Sequence, residues 1–152
     1  MKKLIKLNYP LDMPSLLKDA EIARISATGH TDSRYPDFLA NAWKKSIYSS
    51  STIEQMMKDF DIVGKPRFYF QEPYYMVPRH TDNGTTCSFN FVLSDEPVPI
   101  SFDDEDIIYS QALLNTTLPH AVRNGSHERI LLKISIFDKS FEEVAKTLKY
   151  VL

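Results

Sequence analysis

The sequence predicts an α+β, mainly β domain: helices first, then a compact β core, then one closing helix. Three observations carry this. Before residue 65 the apolar residues recur with a helical period, and from residue 66 to 138 they alternate with period two. The period-two segments are short and separated by turn signals, which suits a β-sandwich or barrel. The 152 residues, 43% apolar and 25% charged, suffice for one globular domain with its own core. The expected organisation is a single domain, 1–152, with mostly helical support in 1–65, the β core in 66–138 and the closing helix in 139–152.

Asp12 caps a first helix, with Pro14 in its first turn and Leu16, Leu17, Ala20 and Ala23 on one side. Residues 26–36 read as a polar loop. A second helix is expected over 37–48, burying Phe38, Ala42 and Trp43. Ser51 and Glu54 read as a capping box ahead of a third, whose apolar residues are Ile53, Met56, Met57 and Phe60. Strands follow at 67–71, at 86–93 and at 100–102. Short runs at 107–109, 112–114 and 119–123 precede a long alternating strand, 129–137. Phe89, Phe91, Phe102 and Phe137 are the expected aromatic core. Ser140 and Glu143 form a capping box for the last helix, whose buried face is Phe141, Val144, Ala145 and Leu148.

Composition excludes several function classes. A net charge of -2 argues against binding nucleic acid through phosphate neutralisation. The lone Cys87 excludes an internal disulfide framework and a cysteine-based zinc site, and fits a reducing compartment. No apolar run reaches the roughly 18 residues of a membrane span. No apolar stretch of signal-peptide length follows the basic start, so a cytoplasmic location is the expectation. Oligomeric state is left open.

The segment Val77-Pro78-Arg79-His80-Thr81-Asp82-Asn83-Gly84 carries the chemistry. On an extended strand, His80 and Asp82 point to the same side. They supply two thirds of a 2-His-1-carboxylate site, the set that holds Fe(II) on one face and leaves positions open. His120, 40 residues on, sits in another expected strand. Arg129 follows nine residues later at the head of an apolar strand, where an arginine needs a partner. A carboxylate held by the planar guanidinium would be one.

In type, order and spacing, His80, Asp82, His120 and Arg129 resemble the Fe(II)- and 2-oxoglutarate-dependent oxygenases. The string Arg-His-Thr-Asp-Asn resembles the prolyl hydroxylases. The stretch from Ser88 to Leu93 resembles the aspartyl/asparaginyl β-hydroxylase branch. The resemblance covers 66–138. It implies a double-stranded β-helix, a jelly-roll or cupin-like core. It also implies iron held by His80, Asp82 and His120, with the far carboxylate of 2-oxoglutarate on Arg129 and O2 as co-reactant. The implied activity is a dioxygenase that hydroxylates a peptide side chain or a small amino-acid-like substrate and releases succinate and CO2. Two alternatives stay open: a non-catalytic cupin-like metal- or ligand-binding module, and a cupin enzyme with iron or manganese but no 2-oxoglutarate.

A second His-Thr-Asp, at His30 to Asp32, serves as a control. Nine and ten residues beyond His80 stand Phe89 and Asn90, so that copy lacks the cation. It also lies in a loop and is read as no ligand pair. Asn124-Gly125 is a hairpin signal, but the resemblance puts the strands of His120 and Arg129 in opposite sheets, so it is read as a corner. Asn90 and Ser88 share a face and are candidate cosubstrate contacts. Tyr69 and Gln71 are candidate pocket residues. Lys133 shares the face of Arg129 and is read as snorkelling to solvent, with a second anion contact as the alternative. His127 is read as exposed, and the acids from Asp95 to Asp106 as a solvated surface. The substrate-binding loops are expected at 26–36 and around Tyr74, Tyr75 and Asn83.

Overall fold

The computed structural model describes residues 2–152. Among them the order is β1 (Leu4–Lys6), α1 (Met13–Ile25), β2 (Thr28–Gly29), β3 (Trp43–Ile47), α2 (Ser51–Phe60), β4 (Lys65–Gln71), β5 (Met76–His80), β6 (Cys87–Val92), β7 (Ile100–Ser101), β8 (Asp106–Ile107), β9 (Gln111–Leu114), β10 (His120–Arg123), β11 (Arg129–Ile136) and α3 (Phe141–Lys146). No helix among them is long and apolar enough to cross a membrane.

The strands form two sheets. One has seven strands in the order β1-β9-β6-β11-β4-β3-β2, and the other has four in the order β5-β10-β7-β8. From β4 onward the chain passes back and forth between them, the winding of a jelly roll. β10 belongs to the small sheet and β11 to the large one, so Asn124-Gly125 is a corner rather than a tight hairpin. Asn124 holds that corner: its Nδ2 donates to the carbonyls of Gln71, Glu72 and His127.

The large sheet is covered on both faces, which explains the burial of almost all of β6. Cys87, Phe89 and Phe91 face the helices, where Leu16, Ile53, Met56, Phe60 and Phe141 meet Phe68, Leu132 and Ile134. A second cluster, including Ile100, Phe102, Tyr109, Leu114 and Val122, lies between the sheets. Each large side chain fully buried this way contributes roughly 2–3 kcal/mol. Phe137 departs from the expectation. It lies past the end of β11, is 39% exposed, and has Lys65 and Arg67 against its ring rather than core.

Local signals explain the helices. Asp12 accepts from the Ser15 N–H at the start of α1. Both halves of the Ser140–Glu143 capping box form on α3. On α2 the cap is Ser50, one residue before the expected Ser51, and Glu54 accepts from Ser49 instead. The larger correction is at 37–48, which is a set of turns followed by β3. Pairing along the edge of β4 satisfies the backbone of Trp43–Ile47 and overrides the helical pattern. Phe38 and Trp43 do meet, but as a T-shaped pair with centroids 5.2 Å apart. The loop 26–36 contains the two-residue β2. β1 had no sequence signal. It pairs with β9 as the edge of the large sheet.

Candidate metal centre and its cavity

His80 ends β5, His120 opens β10, and the two are register partners across the small sheet. Their rings lie 4.5 Å apart. Asp82 stands just past the end of β5, where its N–H donates to the Thr116 carbonyl. Asp82 Oδ1 is 3.4 Å from His80 Nε2 and 3.2 Å from His120 Nε2. The three ligand atoms lie within 4.8 Å of one another, and no other such cluster occurs among the described residues.

The ring orientations fit a metal. His80 Nδ1 donates to the Pro78 carbonyl at 2.6 Å, and His120 Nδ1 to the Leu118 carbonyl at 2.8 Å. A carbonyl only accepts, so each Nδ1 carries a proton and each Nε2 is turned inward toward Asp82 Oδ1. Two imidazole nitrogens and one carboxylate oxygen converge on one point. Backbone carbonyls behind both imidazoles are the supporting contacts a ligating histidine needs.

Lys133 changes the electrostatics. It does not snorkel: its side chain is only 12% exposed and its Nζ bonds Asp82 Oδ2. Burial pushes the Asp82 carboxyl upward, but Lys133 and the two imidazoles outweigh it and hold it well below the usual range. Oδ2 faces the ammonium while Oδ1 faces the imidazoles, so the lysine leaves the ligating oxygen free.

Beside the triad lies a cavity of about 100 Å³ whose lining includes His80, Asp82, Lys133, Arg67, Tyr69 and Trp43. Tyr69, a candidate pocket residue, lines this cavity. His30, Asp32 and Phe38 also reach this cavity, so the second His-Thr-Asp supplies rim rather than ligands. His30 is pushed down to about 4 by burial and by Lys45 and Lys133, and is neutral near pH 7. Phe38, Trp43 and Tyr35 place their rings 5.1 to 5.9 Å from His80. The loop carrying them is tied to the metal segment: Arg34 donates to the Thr81 carbonyl, and the Thr81 N–H donates to Tyr35 Oη. Asn83 lines the cavity as well. Tyr75 anchors the same loop through Leu39, and Tyr74 is exposed.

Arg129 is buried between the sheets and does not line this cavity. Its Nη2 donates to Tyr109 Oη at 3.3 Å, and its Nε has no partner. No carboxylate neutralises it; the neighbouring Glu128 pairs with Arg24. Asn90 donates to the same Tyr109 oxygen and accepts from Ser88. Gln71 sits elsewhere, donating to the carbonyls of Tyr75 and Val122 and so joining the two sheets. His127 is exposed and pairs with Glu96. In the acidic stretch, Asp103 pairs with Arg79, and Asp104 and Glu105 pair with Lys3. Sequence reasoning missed Arg67, Phe38, Trp43 and Tyr109. For Arg67 a signal existed, since it alternates onto the face of Tyr69 and Gln71.

This architecture has clear counterparts among solved structures. A Trichoplax adhaerens prolyl hydroxylase, solved with a hypoxia-inducible-factor peptide fragment, matches 96% of this chain and 86% of its own, with a TM-score of 0.67 and 13% identity. A Pseudomonas putida prolyl-4-hydroxylase matches 88% and 91%, with a TM-score of 0.63 and 13% identity. The chain has the prolyl hydroxylase fold. The viral collagen prolyl hydroxylase of Paramecium bursaria Chlorella virus-1, solved with 2-oxoglutarate, agrees: 88% and 95%, TM-score 0.58, 11% identity. The likeness to prolyl hydroxylases extends well beyond 66–138, so the N-terminal helices belong to the shared architecture. No protein-family model matches the sequence, and no curated protein does.

Proposed function

We propose that the protein is an Fe(II)- and 2-oxoglutarate-dependent dioxygenase that hydroxylates a peptide side chain or a small amino-acid-like substrate. The observation that carries this is the convergence of His80 Nε2, His120 Nε2 and Asp82 Oδ1, with both Nδ1 protons committed to carbonyls. The prolyl hydroxylase fold supports it. When bound, iron and 2-oxoglutarate supply the oxidative decarboxylation that activates O2, with succinate and CO2 as products. His80, His120 and Asp82 would hold the metal, and Lys133 keeps Asp82 ionised and oriented. Arg129, buried without a counter-ion, would receive the far carboxylate of 2-oxoglutarate. Tyr109, fixed by Asn90 and through it by Ser88, aims that guanidinium. The loop from His30 to Phe38 shields the cavity from water. A peptide substrate draws support from the Trichoplax adhaerens neighbour, which was solved with one. The buried free thiol of Cys87 suits the cytoplasm.

The test is spectroscopic. Anaerobic protein given Fe(II) and then 2-oxoglutarate should develop the visible metal-to-ligand charge-transfer band. Iron binding with no band would sink the proposal. Arg129→Ala should weaken 2-oxoglutarate far more than iron. His80→Ala should abolish iron binding, whereas His30→Ala should not. One observation favours a second reading, a metal-free binding module: Lys133 already neutralises Asp82. Failure of the wild-type protein to bind Fe(II), Mn(II) or Zn(II) would select it.

A further inference from the structure

We propose that Arg67 forms an anion subsite beside the metal centre, and that the substrate carries a carboxylate or phosphate which docks there. This rests on the dioxygenase reading for the word substrate, but the subsite itself stands on separate residues. Arg67 on β4 and Lys133 on β11 are direct register partners. Both line the cavity that holds His80 and Asp82. Like charges opposite one another in a sheet destabilise it, and charges taken out of water are normally paired. Lys133 has its partner in Asp82. Arg67 has none: no carboxylate among the described residues pairs with it, and its Nε is buried without an acceptor. Its guanidinium carbon lies 5.9 Å from the Phe137 ring, a face that tolerates a cation without neutralising it.

A second cation reinforces the field. Lys45 on β3 is the register partner of Tyr69 and also lacks a carboxylate. Burial, Arg67 and Lys133 all push its ammonium downward from the usual lysine value, which places the three cations within electrostatic reach. The charges of the loaded site then leave a remainder. Asp82 cancels Lys133, and Asp32 at the rim is held by Arg34. A divalent metal and a 2-oxoglutarate dianion cancel each other, which leaves Arg129 as one uncancelled charge, engaged by the far carboxylate. Arg67 and Lys45 add two more, Arg67 on the cavity wall and Lys45 within its electrostatic reach. Lys133, opposite Arg67, lies four residues from Arg129 along β11. That is about 13 Å of strand, so the two guanidiniums serve different groups. A guanidinium fork binds carboxylate or phosphate through paired N–H donors. Trp43 and Tyr69 supply the apolar wall that the stem of such a substrate would lie against.

Trp43 is the only tryptophan and lines the cavity, so its fluorescence reads occupancy directly. The protein is loaded with Zn(II), a redox-inert stand-in, and with 2-oxoglutarate to fill the Arg129 position. It is then titrated with the amides of N-acetyl-aspartate, N-acetyl-phosphoserine and N-acetyl-asparagine. At least one charged probe should bind about tenfold or more tighter than the neutral one, the difference of roughly one charge-assisted pair. The tighter of the two charged probes identifies carboxylate or phosphate as the group. Arg67→Met should abolish the preference, and Arg67→Lys should restore part of it, with circular dichroism checking that both fold. Equal binding of all three probes would overturn the subsite. So would a preference that survives Arg67→Met, or one lost in Arg129→Met but not in Arg67→Met. The titration is repeated on metal-free protein to separate the two proposals. An Arg67-dependent preference with no 2-oxoglutarate charge-transfer band leaves the subsite standing and removes the dioxygenase. The band without the preference does the reverse.

Discussion

Replacing Lys133 with methionine tests the electrostatic heart of the candidate metal centre. The side chains of Lys133 and Asp82 are 12% and 9% exposed, and among the described residues the ammonium is the only cation bonded to Oδ2. Methionine keeps most of the length and removes the charge, leaving the buried Asp82 carboxylate with only the two imidazoles beside it. Breaking a buried pair in this way costs about 3–5 kcal/mol. At about 2–4 °C per kcal/mol for a chain of this size, the metal-free melting temperature should fall by about 6–20 °C. A divalent ion on Oδ1 and the two Nε2 atoms restores the missing positive charge. Saturating Mn(II) should therefore raise the melting temperature of Lys133→Met by more than it raises that of the wild type. Calorimetry at pH 7, with and without Mn(II), measures both differences. An unchanged metal-free melting temperature would refute the energetic role of the pair. A fall that Mn(II) repairs no better than it stabilises the wild type would refute Asp82 as the group the metal satisfies.

Other outcomes follow from the same contacts. Phe89→Ala, at a fully buried position packed on Phe60, should lower unfolding free energy by about 3–5 kcal/mol in urea titrations; a loss under about 1 kcal/mol would contradict the double coverage of β6. Cys87 is buried and its thiol is pushed up to about 11, so a disulfide reagent at pH 8 should label it only after denaturation. Rapid labelling of the native protein would count against that burial. His30 is held neutral in the fold, pushed down to about 4 from 6.5. Because the fold disfavours the imidazolium, this contribution is intact above about pH 6.5 and is lost as pH falls from 6.5 toward 4. The wild type should lose more stability across that window than His30→Asn, and parallel curves would refute the assignment.

The sequence made the β core and the closing helix legible because their signals are local. The Ser140–Glu143 box and the alternation of β11 need only a few consecutive residues. Trp43–Ile47 was misread because its fate depends on β4, whose free edge is not visible in the segment itself. β1 was missed for the same reason: three residues acquire strand structure only because β9 offers them an edge. Asn124-Gly125 shows the opposite case. Its local preference is a tight hairpin, and the competing demand that His120 and Arg129 lie in different sheets wins.

The site divides along the same line. The structure brings His80, Asp82 and His120 together, and their spacing is a property of the chain, legible without the fold. Arg67 and Lys133 are far apart in sequence, and their opposition exists only in the register of β4 against β11. Periodicity correctly put Lys133 on the face of Arg129 but could not say what covered that face. Snorkelling needs a path to water, and β11 lies in the middle of a sheet with helices on one side and the small sheet on the other. A lysine pointing inward there must find a carboxylate, and Asp82, beyond the end of β5, is the one within reach. The residue that breaks the apolar pattern of β11 therefore joins the large sheet to the metal segment of the small one. That places on Lys133 a structural duty in the metal-free protein and an orienting duty once a metal is bound, and the calorimetric difference between the two states separates them.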